Sequence, residues 1–176
     1  MHEPRPDVIR AAAAGETGAF EELVRLYEAD VWRFLRRMIV DPRVAEDVAQ
    51  ETFIRVYRHL GTFSFESKFS TWLFRVARNA AVDALRREGR RSRLLRALPP
   101  PEAGPPPDQR VEIEHAIAAL SPRLRESLLA VEVLGLTYRE AGDVLGVPEG
   151  TVKSRTFHAR ATLAAWLSAG ENADEM

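Results

Sequence analysis

The sequence contains no cysteine, which excludes disulfide bonds, thiolate metal ligands and a cysteine nucleophile. Its longest apolar runs are far too short to span a membrane, and its first residues carry no hydrophobic signal-peptide segment. The four histidines have no metal-ligand spacing, and no glycine-rich phosphate loop follows a strand. We therefore expect a cytoplasmic protein that does not insert into a membrane and has no metal, no cofactor and no catalytic site.

The chain also has almost no net charge. Its 176 residues sum to -1 at pH 7, which by itself argues against a nucleic-acid partner. The average hides an asymmetry, because residues 1–98 contain 18 basic and 14 acidic side chains whereas residues 99–176 contain 7 and 12. Positive charge is therefore concentrated in the first half of the chain.

Strand-like alternation is absent, and apolar residues recur instead at the spacing of amphipathic helices. Each predicted helix has a start signal, a stop signal or both, including Ser70 and Ser121 as N-caps and Pro122 and Pro148 as first helical residues. The pattern predicts helices at about 7–14, 19–38, 44–60, 70–96, 111–120, 122–134, 138–145 and 148–168. We therefore expect an all-α protein.

Six of the eleven prolines lie between Pro99 and Pro107. Proline at this density excludes a helix or a central strand, so the segment is predicted to be an extended linker. The predicted organisation is a helical bundle at residues 1–96, a linker at 97–110, a second small helical domain at 111–170 and an acidic tail at 171–176.

The helix predicted from Ser70 to Arg96 holds eight arginines and only two acidic residues. Three aromatic residues, Phe63, Phe65 and Phe69, precede it. Arginines beside aromatic rings are suited to unstacked bases, since stacking contributes about 1–3 kcal/mol per base. Two alternatives are open: a solvated surface helix, and a core role for Phe63, Phe69 or Trp72.

The segment after the linker has the features of a helix-turn-helix. Thr137 and Glu140 match a capping box. Gly142 would allow a close helix crossing, Gly146 would allow the turn, and Val152 would pack behind the second helix. By period, Val152, Thr156, Ala159, Leu163 and Trp166 should face inward.

The outward face of that second helix carries polar and basic side chains near its start, as a helix in a major groove requires. These residues are Glu149, Thr151, Lys153, Ser154, Arg155 and Arg160. The alternative is a plain helical hairpin with a solvated face. Because residues 137–166 have four basic and three acidic side chains, we expect weak phosphate contacts and a need for help from the basic helix.

A third surface, on the helix predicted at 44–60, carries Asp47, Gln50 and Glu51. It is too acidic to face DNA, and we assign it no pairing cation. It is either solvated or a protein-docking surface.

In this order, the parts resemble the bacterial RNA polymerase sigma factors of the extracytoplasmic-function (ECF) group. The resemblance is carried by three motifs: D-V-A-Q-E-T-F from Asp47, F-S-T-W-L-F-R-V-A-R-N from Phe69, and L-T-Y-R-E-A-G-D-V-L-G-V-P-E-G-T-V-K-S-R from Leu136. The sequence departs from the family at Ala141-Gly142 and at Thr156-Phe157-His158, where a basic run is usual.

The resemblance implies a promoter-specificity subunit in which the first domain melts the -10 element and the second reads the -35 element. It implies polymerase contacts at Asp47, Gln50, Glu51 and Ile54. It implies -10 DNA contacts at Phe63, Phe65, Lys68, Trp72, Arg75, Arg78, Asn79, Asp83 and Arg86. It implies -35 contacts at Glu149, Thr151, Lys153, Ser154, Arg155, His158 and Arg160.

The implied partners are promoter DNA, core RNA polymerase through its largest-subunit clamp and flap regions, and an anti-sigma factor, with the free protein a monomer. Two other functions are compatible with the residues. A stand-alone helix-turn-helix regulator would not need the surface at Asp47 to Phe53, and a helical adaptor that binds only protein would not need its arginines.

Overall fold

The computed structural model describes residues 3–94 and 109–174, and everything it describes is helix, turn or loop without a strand. The all-α prediction is confirmed. Most of the predicted linker at 97–110 lies outside the described residues.

The first unit consists of four α-helices and one 3-10 turn. They are α1 (Pro6–Ala13), α2 (Thr17–Met38), α3 (Pro42–His59), the turn Leu60–Thr62 and α4 (Phe69–Leu94). Asp41 caps α3 by accepting a hydrogen bond of 2.9 Å from the Arg43 amide. Val31, Phe34 and Phe74 are fully buried where α2 meets α4, and the two phenylalanine rings pack edge to face with centroids 5.8 Å apart.

The second unit consists of α5 (Gln109–Ala119), α6 (Pro122–Glu132), α7 (Tyr138–Leu145) and α8 (Glu149–Asp174). Helix α5 begins at Gln109, within the stretch assigned to the linker, and α8 continues through residues 171–174, which were assigned to an acidic tail. Pro122 is the first residue of α6, as predicted, but the Ser121 side chain makes no capping hydrogen bond.

The predicted turn between α7 and α8 has the expected geometry. Thr137 and Glu140 form both hydrogen bonds of the capping box, and Gly146 has a φ of 68° in the left-handed region. Gly142 is buried, and a Cβ at that position would lie 2.8 Å from the Val147 carbonyl oxygen. Only glycine therefore fits where α7 passes the start of α8.

The inward face of α8 is predicted correctly as far as Leu163, which is partly buried against the core, and wrongly at Trp166. Val152, Thr156 and Ala159 are completely buried, whereas Trp166 is 42% exposed. At about 1.5 Å per residue, α8 is about 39 Å long and α6 only about 16 Å. The helix therefore runs past the neighbours on which a periodic apolar face could pack.

The two units pack against each other, and their buried apolar side chains form one continuous cluster. Arg125 of α6 lies at this junction and donates hydrogen bonds to the carbonyl oxygens of Met38 (3.2 Å), Ile117 (3.0 Å) and Leu120 (3.1 Å). Burial lowers the pKa of Arg125, although a guanidinium remains charged at any physiological pH. This arginine joins the ends of α2 and α5 to α6.

Within residues 3–94 and 109–174, no helix combines the length and apolar character needed to cross a lipid bilayer.

We predict that Gly142→Ala destabilises the protein by about 1–3 kcal/mol, because the added methyl group would collide with backbone that cannot easily move. Gly89→Ala is the matched control, since a Cβ on this exposed glycine of α4 meets nothing within 4 Å. That substitution should stabilise the helix by about 0.5–1 kcal/mol. Urea unfolding of both variants measures the difference, and equal stabilities would contradict the close crossing.

Candidate nucleic-acid interface

The loop between the 3-10 turn and α4 is built on an aromatic cluster. Phe63 and Phe69 are buried, at 8% and 2% exposure, and their rings meet at a centroid distance of 5.7 Å. Partly buried Trp72 lies against both. The structure therefore assigns Phe63 and Phe69 to the core, as one of the alternatives proposed, and Phe63 presents no free face to a base.

Phe65 is the aromatic residue of this loop that reaches solvent. It is 43% exposed, and its ring rests on Phe63 with centroids 4.8 Å apart. Its φ of 59° is in the left-handed region, which a bulky side chain enters only when the surroundings impose it. The loop thus holds one ring outward above a packed aromatic floor.

Helix α4 begins at Phe69, and its start is not capped as predicted. Ser70 lies inside the first turn, where its amide and hydroxyl both donate hydrogen bonds to the carboxylate of Glu3. The Phe69 amide donates to the same carboxylate at 3.0 Å. The cap is therefore an acidic side chain 66 residues earlier in the chain.

Seven of the nine residues predicted to contact the -10 strand, all except Phe63 and Phe65, form a single stripe along α4 and the residue just before it. Spacings of three and four residues place them on one helical face, which runs from the Phe65 loop toward the end of the helix. Its members are Lys68, Trp72, Arg75, Asn79, Asp83 and Arg86, with Arg78 beside them. We call this set the α4 stripe.

The second unit covers part of the α4 stripe. The Lys68 ammonium lies 2.6 Å from the Glu140 carboxylate. The Arg78 guanidinium donates to one oxygen of Glu126 at 2.9 and 3.2 Å. Arg75 donates to the carbonyl oxygen of Asp143 at 3.1 Å. These contacts, at three points of the stripe, define a closed arrangement.

Glu140 has two roles in this arrangement. It completes the capping box by accepting from the Thr137 amide and hydroxyl at 2.9 Å each, and it binds Lys68 across the gap between units. The Lys68 ammonium, assisted by Thr137, lowers the pKa of Glu140 to about 2.

The far end of the stripe is tied to α3. Asp83 accepts a hydrogen bond of 3.2 Å from Arg55, and Arg55 also donates to Glu51 at 2.8 Å. The bond from Arg55 lowers the pKa of Glu51. The expectation that the acidic face of α3 has no pairing cation is therefore wrong, because Glu51 and Arg55 are four residues apart on one helix.

The rest of that face of α3 is open. Asp47 and Gln50 are exposed, and no hydrogen bond or ion pair to the Asp47 side chain occurs within the described part of the chain. Ile54 is 46% exposed one turn beyond Gln50. An apolar side chain on an exposed polar face is suited to contact with another protein.

The start of α8 presents the residues predicted for base recognition. Glu149, Lys153, Ser154 and His158 are exposed, and Thr151 and Arg155 are half-buried. Arg160 is the exception, because it binds Glu132 of α6. Phe157, at 68% exposure, stands beside His158.

Sequence reasoning missed Glu3, Arg10, Glu126 and Asp143. The Arg10 guanidinium lies over the Phe65 ring, 5.1 Å from its centroid. No local pattern indicates these partners, because each depends on how distant helices pack. Glu3 lies before α1, and nothing in the local sequence indicates that its carboxylate caps α4.

Among residues 3–94 and 109–174, no group of three or more histidine, aspartate or glutamate side chains is placed to hold a metal ion.

Comparison with protein families gives two matches. A family model described as Sigma-70 region 2 matches residues 23–91, and one described as Sigma-70, region 4 matches residues 110–163.

Curated relatives are similar over most of their own length. The chain is 35% identical to the ECF RNA polymerase sigma factor SigC of Mycobacterium tuberculosis (strain CDC 1551 / Oshkosh), over 88% of this chain and 86% of the relative. It is also 35% identical to the ECF RNA polymerase sigma factor SigM of Bacillus subtilis (strain 168), over 86% and 97%.

Two solved structures resemble the whole fold. The sigma factor RpoE from Bartonella quintana, in complex with the anti-sigma factor NepR, superposes with a TM-score of 0.74 at 25% identity, over 85% of this chain and 96% of that one. CnrH in complex with the cytosolic domain of CnrY gives 0.72 at 27% identity, over 92% and 96%.

We predict that Lys68→Met raises the pKa of the Glu140 carboxyl well above about 2, because it removes the largest influence favouring the charged form. Carboxyl carbon NMR measures this pKa directly. In the wild type, the stability contributed by ionised Glu140 should be complete above its ordinary pKa and should be lost as the pH falls from there toward 2.

Lys153→Met is the matched control, since this exposed lysine of α8 has no ion pair in the described residues. An unchanged Glu140 pKa in Lys68→Met would mean that the two units are apart in solution.

Proposed function

This chain belongs to the ECF sigma factors of the sigma-70 family, the promoter-specificity subunits of bacterial RNA polymerase, and we propose that the α4 stripe holds the separated -10 strand. The observation that carries this proposal is the continuity of the stripe with an exposed aromatic ring. Phe65 stands at one end, and Arg75, Asn79 and Arg86 follow along a single face of α4.

The energetics of strand opening are consistent with separate roles for the aromatic ring and the arginines. Extruding a base from a duplex costs a few kcal/mol, and stacking on an aromatic ring returns about 1–3 kcal/mol. Arginines along the helix add attraction to the phosphates, which does not depend on base sequence. Phe65 therefore captures the extruded base, and the arginines hold the phosphates of the strand that leaves the DNA duplex.

We assign polymerase docking to the exposed face of α3. Asp47 and Gln50 offer exposed polar groups, and Ile54 adds an apolar contact. Glu51 has a mixed role, because it also orders Arg55 and through it Asp83. This face would meet the clamp of the largest subunit, while the second unit would meet the flap.

We assign -35 recognition to the start of α8. Lys153 and Ser154 are exposed on the first turns, where the side chains of a helix in the major groove reach base edges. Arg155 and Thr151 flank them. Arg160 is paired with Glu132, which neutralises part of its attraction to phosphate, so its share in binding should be smaller.

The closed arrangement is then a resting form of the subunit. Glu126 and Glu140 occupy basic side chains that would otherwise face DNA phosphates, so the two units must separate before the -10 strand binds. Polymerase docking on both units would separate them. We also propose an anti-sigma partner and a monomeric free protein, and the similarity to RpoE in complex with the anti-sigma factor NepR supports the former.

Asp47→Ala should abolish or strongly weaken association with core RNA polymerase and leave the fold intact, because this carboxylate lacks internal partners in the described structure. Co-elution on size exclusion and in vitro transcription from genomic promoter fragments measure the effect. Glu22→Ala, an equal charge change at an exposed site on α2, is the control. Equal co-elution of the two variants would refute docking through α3.

Lys153→Ala should weaken binding to the -35 element, with a base contact worth about 1–3 kcal/mol, and should reduce transcription from promoters that the wild-type subunit selects. Arg123→Ala removes one exposed positive charge from α6 and should leave selectivity unchanged. Footprinting of the holoenzyme distinguishes them, and an identical -35 footprint for both variants would remove the recognition role of α8.

A further inference from the structure

The segment before α2 has no part in the surfaces assigned above, yet it contacts the loop of residues 63–68, for which we propose base capture, at two points. Glu3 accepts hydrogen bonds from the first residues of α4, where the loop ends. Arg10, seven residues later, lies over the exposed ring of Phe65. One short segment therefore touches both the outward ring of the loop and the point where the loop enters α4.

The contact at Glu3 is suited to fixing the start of a helix. A carboxylate that accepts from backbone amides of the first turn satisfies donors that have no partner within the helix, and it is attracted by the positive end of the helix dipole. Phe69 and Ser70 are each only 2% exposed, so water is a poor substitute for this acceptor. Burial, together with the negative charge of Glu3, raises the pKa of neighbouring Tyr27.

The segment is itself anchored. Val8, Ile9 and Ala12 of α1 are buried, so Arg10 is held on a helix that belongs to the core, and Glu3 lies only three residues before that helix begins. An arginine over an aromatic face is attracted by the electrons of the ring. Arg10 therefore favours one orientation of Phe65, a residue whose backbone conformation needs external support.

We propose that Glu3 and Arg10 are positioning residues for base capture: Glu3 fixes the start of α4, and Arg10 orients the Phe65 ring that receives the extruded base. The inference rests on the proposed function of the α4 stripe. The two residues act through the loop and need not contact DNA, so their loss should slow promoter opening without weakening polymerase docking.

Hydrogen exchange tests the contact itself. In the intact protein, Glu3→Ala should speed exchange at the Phe69 and Ser70 amides, while Glu16→Ala, an exposed acidic residue without a capping bond, should not. Glu3→Gln retains an oxygen acceptor and should give an intermediate effect. Equal exchange in Glu3→Ala and Glu16→Ala would overturn the inference.

Promoter opening by the holoenzyme tests the role. Phe65→Ala should slow opening by about 5- to 150-fold, which is the stacking energy expressed as a rate, and Glu3→Ala should slow it by a part of that factor. The double variant should be no slower than Phe65→Ala alone, because both changes disable one capture step. Arg10→Lys, which keeps the charge and loses the planar group, should resemble Glu3→Ala.

Permanganate reactivity of the opened strand gives the rates, and polymerase affinity should stay constant in all variants. If the double variant slowed opening by the product of the two single factors, Glu3 would act on stability alone and the inference would be refuted. If Phe65→Ala had no effect on the opening rate, both the inference and base capture by this loop would be refuted. A wild-type subunit that directs no promoter-dependent start would instead refute the proposed function.

Discussion

The structure depends on α4, which packs one face into the core and exposes the opposite face to solvent. Its buried face is lined by small side chains, Ala77, Ala80, Ala81 and Ala84, which let α2 and α3 approach closely. Nearer the start of the helix, Phe69, Leu73 and Phe74 fill larger spaces, and Phe74 packs edge to face against Phe34. Because packing fixes the rotation of the helix about its axis, the α4 stripe is held outward in one orientation, and the positions of the loop and of the second unit follow from it.

Two negatively charged partners compete for the α4 stripe: the carboxylates of the second unit and, in the proposed function, the DNA backbone. Lys68 and Arg78 cannot serve both at once. The competition explains how a chain of nearly zero net charge can carry a DNA-binding surface, since carboxylates of its acidic second half pair with Lys68 and Arg78 when the two units are together. The basic first half and the acidic second half of the sequence therefore form ion pairs with each other in the fold.

Local patterns in the sequence predict the helices, the capping box at Thr137 and the glycine crossing at Gly142, because each of these depends on residues within one or two turns. Periodicity fails at Trp166, since it cannot reveal where the packing partners of α8 end. The cap on α4 from Glu3 and the ion pair of Arg78 with Glu126 join residues 67 and 48 positions apart. Such contacts follow only from the packed arrangement of helices.

The strength of the closed arrangement decides whether polymerase can open it. Lys68 remains 61% exposed in its contact with Glu140, and ion pairs so accessible to water contribute little net stability. Arg78 and Glu126 are more enclosed, at 25% and 10% exposure, but both regain hydration on separation, which offsets much of their attraction. Contacts of this kind orient the units without locking them, so the polymerase docking that we propose on α3 and on the second unit would be enough to separate them.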